Sequence, residues 1–188
     1  IREQTHGRVT IYVKRGIKCE EVGKFSADKE YWCVIIKVHI NNESVIIGGT
    51  YQSPSGKELL FLDFFERLLE NDLYVSRSCV VLTGDFNVNL QENNLYTRRL
   101  LNILSGGSRQ IIQHPTRYTE QFRTLVDHLY TNIAHLKEIA RQYAMISDHK
   151  IIGTKFKLDD GENKEIVTSG DFSEGKIREI ILHLFEQD

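Results

Sequence analysis

Apolar and polar positions along the chain change period several times, and each change marks an element. Alternation is strict from Val9 to Lys14 in RVTIYVK, which predicts a strand. Two more strands follow in YWCVIIKVHI (31–40) and SVIIGGTY (44–51), and the NNES between them supplies turn residues for a hairpin. In KELLFLDFFERLLEN the period lengthens. Leu60 and Phe61, Phe64 and Phe65, and Leu68 and Leu69 then share one helical face, introduced by the turn Pro54-Ser55-Gly56. SCVVLTGDFN (78–87) is apolar up to a carboxylate, the pattern of a central strand covered on both faces. A helix from Leu95 to Leu104 is expected to stop at Gly106 and Gly107. The text is then loop-rich through HPTRYTEQFRT, until short strands in LVDHLYTN and, after the polar SDH, in KIIGTKF. Strands and helices in this order predict an α/β fold.

Residues 159–172 turn polar and glycine-containing and are expected to form a linker after a domain spanning 1–158. Ser173 can cap a C-terminal helix, 173–188, whose Ile177, Ile180, Ile181 and Leu184 recur at helical spacing. That stripe needs a core, either in this domain or in one downstream. The chain opens on Ile1 and enters its first strand almost at once, so it is expected to be cut from something longer.

Composition narrows the function classes. The chain has 188 residues, 40% of them hydrophobic and 27% charged, enough for a sizeable core. A net charge of −2 gives no bulk attraction to phosphate, so a nucleic acid would have to meet a local basic surface. Cys19, Cys33 and Cys79 lack metal-type spacing and read as reduced thiols of an intracellular protein, Cys33 and Cys79 in the core. No apolar run is long enough for a membrane span, and no signal-peptide pattern opens the chain.

Candidate chemistry lies at strand ends. Asp85 and Asn87 are two apart, so on extended backbone both point to one side, where they can hold a hard cation or a water. Taken alone they read as a turn. Asp148 and His149 are neighbours on a strand and face opposite ways, so His149 needs another acid. Asp127 is the candidate, because it lies in an apolar run where an unpaired carboxylate is costly. His128 competes for that role, although as the neighbour of Asp127 it is expected to face the other side. The bland alternative for all four is a surface turn and a capped strand.

GDFN, VDHLYTN and SDH in this order resemble the endonuclease/exonuclease/phosphatase superfamily. With GRVTIYVKRGI, GGTYQSPSG and RQIIQHPTRYT, the chain from about residue 8 to Leu158 resembles the apurinic-type endonuclease domain of LINE-like non-LTR retrotransposons. The resemblance implies a two-sheet β-sandwich flanked by helices in four layers, α/β/β/α. It implies that Asp85 activates a water, Asn87 steadies the phosphate, Asp127 supports His149, His149 stabilises charge and Tyr51 hydrogen-bonds the phosphate. Thr116 would help to position the site, with Thr119 and Thr124 as rivals. Asp148 would lie with Asp85 at a metal site for Mg²⁺, with Mn²⁺ as an alternative. Arg117, Tyr118 and Arg123 are expected to meet DNA, or to be a solvated loop.

The resemblance also implies nicking of target DNA in the nucleus, by a chain that carries a reverse transcriptase domain downstream. Two of the family's upstream motifs, a strand ending in Asn and one ending in a metal-binding Glu, have no counterpart here, and Glu3 is not a substitute for the latter. The first strands of the fold are therefore expected to be missing, and cleavage by this chain is expected to be weak or absent. The alternatives are a catalytically incomplete nucleic-acid-binding remnant, or a phosphatase or phosphodiesterase of the same superfamily.

Overall fold

The computed structural model describes residues 9–40, 43–69, 79–134, 136–141, 148–157 and 165–168. Its centre is a six-stranded mixed sheet in the order β1-β2-β3-β4-β8-β5. The strands are β1 (Lys18–Ala27), β2 (Tyr31–Ile40), β3 (Glu43–Gln52), β4 (Cys79–Asp85), β5 (Arg109–Gln110) and β8 (Asp127–Thr131). Helix α1 (Glu58–Leu68) carries the chain from β3 to a parallel β4, and α2 (Leu95–Ser105) follows β4. A two-stranded ribbon is formed by β6 (Arg117–Tyr118) and β7 (Arg123–Thr124). A second sheet has the order β11-β10-β9, from β9 (Lys137–Arg141), β10 (Ile151–Lys157) and β11 (Glu165–Thr168).

Alternation on β4 and β8 splits the core in two. Val80, Leu82, Phe86 and Tyr130 face the helices and join Phe61, Phe64 and Phe65 of α1 with Leu100 and Leu104 of α2. Rings carry much of this packing: Phe65 and Phe86 stack at 5.6 Å, and Phe61 meets Phe65 edge-on at 4.9 Å. On the opposite face Ile36, Val38, Val45, Ile47, Val81 and Leu129 form a second cluster, against which Ile152 of β10 packs. The second sheet therefore faces the first, and the architecture is α/β with two sheets and helices outside. The C-terminal helix expected at 173–188 falls outside the described residues.

Several elements differ from the reading of the pattern. Residues 9–14 join no strand ladder. Their alternation serves packing instead, because Ile11 and Val13 lie on the second cluster and the backbone of Gly49 admits Val9 and Ile11 closely. The longest strand that the pattern did not announce is β1, a largely exposed edge whose polar text KCEEVGKFSA gives no buried face to detect. Part of the expected linker forms β11, where EIVT is too short and too polar in its surroundings to announce a strand. In α1 the buried set is Phe61, Leu62, Phe64, Phe65 and Leu68, while Leu60 is exposed, so the apolar face is turned by a residue. α2 ends at Gly106 in right-handed rather than left-handed geometry.

Candidate active site

The site is built where β3, β4 and β8 end together. Tyr51 pairs with Asp85 across the parallel β3–β4 ladder, and Asp85 pairs with Asp127 across the antiparallel β4–β8 ladder. Gly84 permits that alignment. A Cβ there would stand 1.8 Å from the carbonyl oxygen of Thr50, and its φ of +150° is one that side chains resist.

Asp85 is buried, and its carboxylate folds the chain back on itself. The Asn87 backbone N–H donates to its Oδ1 at 2.9 Å, and Asn87 Nδ2 donates to its Oδ2 at 3.1 Å. Asn87 takes a left-handed φ of +47°, which asparagine tolerates better than most residues. Its Nδ2 also donates to the Gln52 carbonyl at 2.6 Å. Both amide hydrogens are thus committed to the protein, and Oδ1 is left as an acceptor, suited to a water hydrogen or a cation rather than to a phosphate oxygen. Gln52 is itself buried and fixed by Tyr96 of α2, whose hydroxyl donates to its Oε1 at 2.8 Å. Burial pushes the Tyr96 phenol well above its ordinary range, so it stays protonated and remains a donor.

Asp127 and His149 come from separate strand ends and meet. His149 Nδ1 lies 2.9 Å and 3.1 Å from the two oxygens of Asp127. Burial opposes the charged imidazole, but the hydrogen bond and charge of Asp127, with the charges of Asp85 and Asp148, win and raise the His149 pKa to about 9. The ring is an imidazolium at neutral pH, with Nε2 turned from Asp127. The backbone that carries it is held by the ribbon: Arg117 and His149 form a bridge, Tyr118 N–H donates to the Asp148 carbonyl at 2.8 Å, and Lys150 N–H donates to the Thr116 carbonyl. Thr116, fully buried, accepts at Oγ1 from the N–H groups of Val126 and Asp127 at 3.3 and 3.0 Å and fixes the start of β8.

Ligand atoms of Asp85, Asp127 and His149 lie within 4.8 Å of one another, a grouping that could hold a metal ion. Asp148 is not part of it. Its carboxylate is 2.7 Å from Arg117 Nε, and although burial works the other way, Arg117 holds its pKa below the usual carboxylate range.

Solved structures with this arrangement of strands and helices agree in type. The endonuclease domain of TRAS1, a telomere-specific non-LTR retrotransposon, superposes with a TM-score of 0.63 at 14% identity, over 78% of this chain and 72% of that one. TDP2 from C. elegans gives 0.55 at 13%, over 76% and 52%, and an endonuclease/exonuclease/phosphatase family protein from Leptotrichia buccalis gives 0.52 at 14%, over 68% and 53%. The chain has the endonuclease/exonuclease/phosphatase fold. It spans about half the length of the last two structures. No protein-family model matches the sequence, and no curated protein does.

Within the endonuclease/exonuclease/phosphatase fold, the structure gathers Tyr51, Asp85, Asn87, Asp127 and His149 at one end of the sheet, with Thr116 beneath them. His128 is kept apart. It is fully buried on the helix side, its Nε2 lies 2.9 Å from the Val88 carbonyl, and it stacks on Phe86 at 4.6 Å. Thr119 serves the ribbon turn, bonding Phe122. Three residues of the site environment escaped the pattern reading. Gln52 and Tyr96 carried no signal, since their roles depend on a contact across 44 positions. Lys150 stood in view beside His149 but was read only as the opening of a strand.

Proposed function

We propose that this centre hydrolyses phosphodiester bonds of DNA, as the target-nicking endonuclease of a non-LTR retrotransposon does. The observation that carries the reading is the convergence of Asp85, Asn87 and the Asp127–His149 pair, from three strand ends scattered along the sequence, on one rim. The parts match what hydrolysis of a diester needs. Asp85 is placed to take a proton from a water that Asn87 Oδ1 helps to orient. The His149 imidazolium offers positive charge and an N–H donor to the phosphate as negative charge develops, and Tyr51 pairs with Asp85 at the same strand ends.

A divalent cation such as Mg²⁺ fits the oxygen donors present and would neutralise charge on the phosphate. Asp85 is the carboxylate best placed to hold it, because Asp127 is engaged by His149 and Asp148 by Arg117. With so few carboxylates, Mg²⁺ affinity is expected to be low and turnover slow. DNA is the proposed partner and the nucleus the proposed place of action, with a reverse transcriptase domain on the same polypeptide.

The test is nicking of supercoiled plasmid in Mg²⁺ by the full chain and by Asp85→Ala at high enzyme concentration. Slow relaxation that is lost in Asp85→Ala is expected. Relaxation that survives in Asp85→Ala, or hydrolysis of phosphomonoesters alone, would contradict the reading.

A further inference from the structure

Beside the centre lies a cluster that the hydrolytic reading does not use. The Lys150 ammonium stands 4.2 Å from the centre of the Tyr118 ring and donates to the Tyr118 hydroxyl at 2.7 Å. The Arg123 guanidinium lies 5.6 Å from the centre of the same ring, delivered by the Tyr118–Arg123 pairing of the ribbon. The backbone bonds of the ribbon to 148–150 tie all three residues to His149.

Two cations gathered at one ring concentrate positive charge there, and an anion beside them would be attracted by both. Among the described residues, neither Lys150 nor Arg123 is within ion-pair distance of a carboxylate, although acids outnumber bases in the chain by 26 to 24. Arg117 is the contrast, its charge being spent on Asp148. The phenol takes one of the three ammonium donors, and a guanidinium has a fork of five. Positive charge and donors are thus mounted on a preformed support, and an anion is what such an arrangement lacks.

We infer that Tyr118, Lys150 and Arg123 form a phosphate subsite that holds the backbone of a DNA strand next to the scissile bond. The inference rests on reading the neighbouring centre as one that acts on DNA, and it gives that centre a preference for polynucleotides over small phosphate esters.

The test measures binding of a short fluorescein-labelled single-stranded DNA in EDTA, by anisotropy across a salt series. It compares the full chain with Lys150→Met, Arg123→Met and Lys150→Arg. Each Met variant is expected to bind more weakly and to lose about 0.7 from the slope of log affinity against log salt, as one phosphate contact should contribute for a single strand. Lys150→Arg keeps the charge and is expected to keep the slope. Unchanged slopes in both Met variants, or no DNA binding by the unaltered chain, would overturn the subsite. In a second arm Lys150→Met is expected to lower kcat/KM several-fold more for the oligonucleotide than for bis(p-nitrophenyl) phosphate, and equal losses would also overturn it. Binding is read without metal, so the two readings fail separately. Altered slopes with no hydrolysis by any form would remove the nuclease and leave the subsite standing.

Discussion

Asp127 and His128 are neighbours on β8, yet the two faces of that strand put them in different chemical worlds. On the helix side His128 is enclosed by Phe86 and Tyr130, and burial pushes its pKa down to about 4 despite its carbonyl partners. On the other side Asp127 receives His149, whose pKa rises to about 9 although burial opposes it. One histidine is kept neutral by rings and the other kept charged by acids. Residue type did not decide this, because the surroundings on either side of one sheet did.

The largest effect that could break this contrast lies in the pair itself. His149→Ala is expected to lower DNA nicking by about 10²–10⁴-fold, the range for loss of a positioned acid or base. Asp127→Asn is expected to lower it too, and the double variant to be little worse than His149→Ala alone. Additive losses in single-turnover nicking would show that the two act separately.

The ring side is expected to answer in stability instead. Phe65, fully buried against Phe61 and Phe86, should cost about 3–5 kcal/mol on replacement by Ala, read by urea denaturation. A residual fold of that variant should keep the raised pKa of His149 by NMR titration. A fall toward the ordinary value would mean that the faces are coupled.

The pH dependence of stability sharpens the comparison, because the two histidines act in opposite directions. His149 has a folded pKa above its usual 6.5, so its contribution is full below about 6.5 and is lost as pH rises through about 9. His128 has a folded pKa below 6.5, so its contribution is full above about 6.5 and is lost as pH falls toward about 4. Each limb should slope by at most about 1.4 kcal/mol per pH unit. Thermal denaturation from acid to alkaline pH should show His149→Ala flattening the alkaline limb and His128→Gln the acid one. A single variant flattening both limbs would contradict the assignment.

The smallest expected effect is at Tyr96. Tyr96→Phe removes the donor to Gln52 and should cost about 1 kcal/mol, with a modest loss of kcat through the Gln52 carbonyl that fixes Asn87. Stability loss with kcat unchanged would confine this contact to packing.

The alternating and continuous apolar runs made β2, β3, β4, α1, α2, β8 and β10 legible, because each buries a face or both faces and burial writes a period into the text. β1 and β11 were not legible, the first being an exposed edge and the second a short strand among polar residues. The RVTIYVK alternation was real but led to packing without a ladder, since period shows which side chains are buried and not what the backbone pairs with.

By itself the sequence determined the chemistry at the strand ends: Asp85 and Asn87 after an apolar strand, Asp127 within another, and His149 before a third. Tertiary structure alone decided their partners, because a contact between positions 127 and 149, or 52 and 96, depends on how strands are ordered and registered rather than on any local spacing. It also decided that Arg117 neutralises Asp148 while Lys150 and Arg123 meet on Tyr118. Charges of one sign look alike in a sequence, and only their neighbours in space show which are spent within the protein.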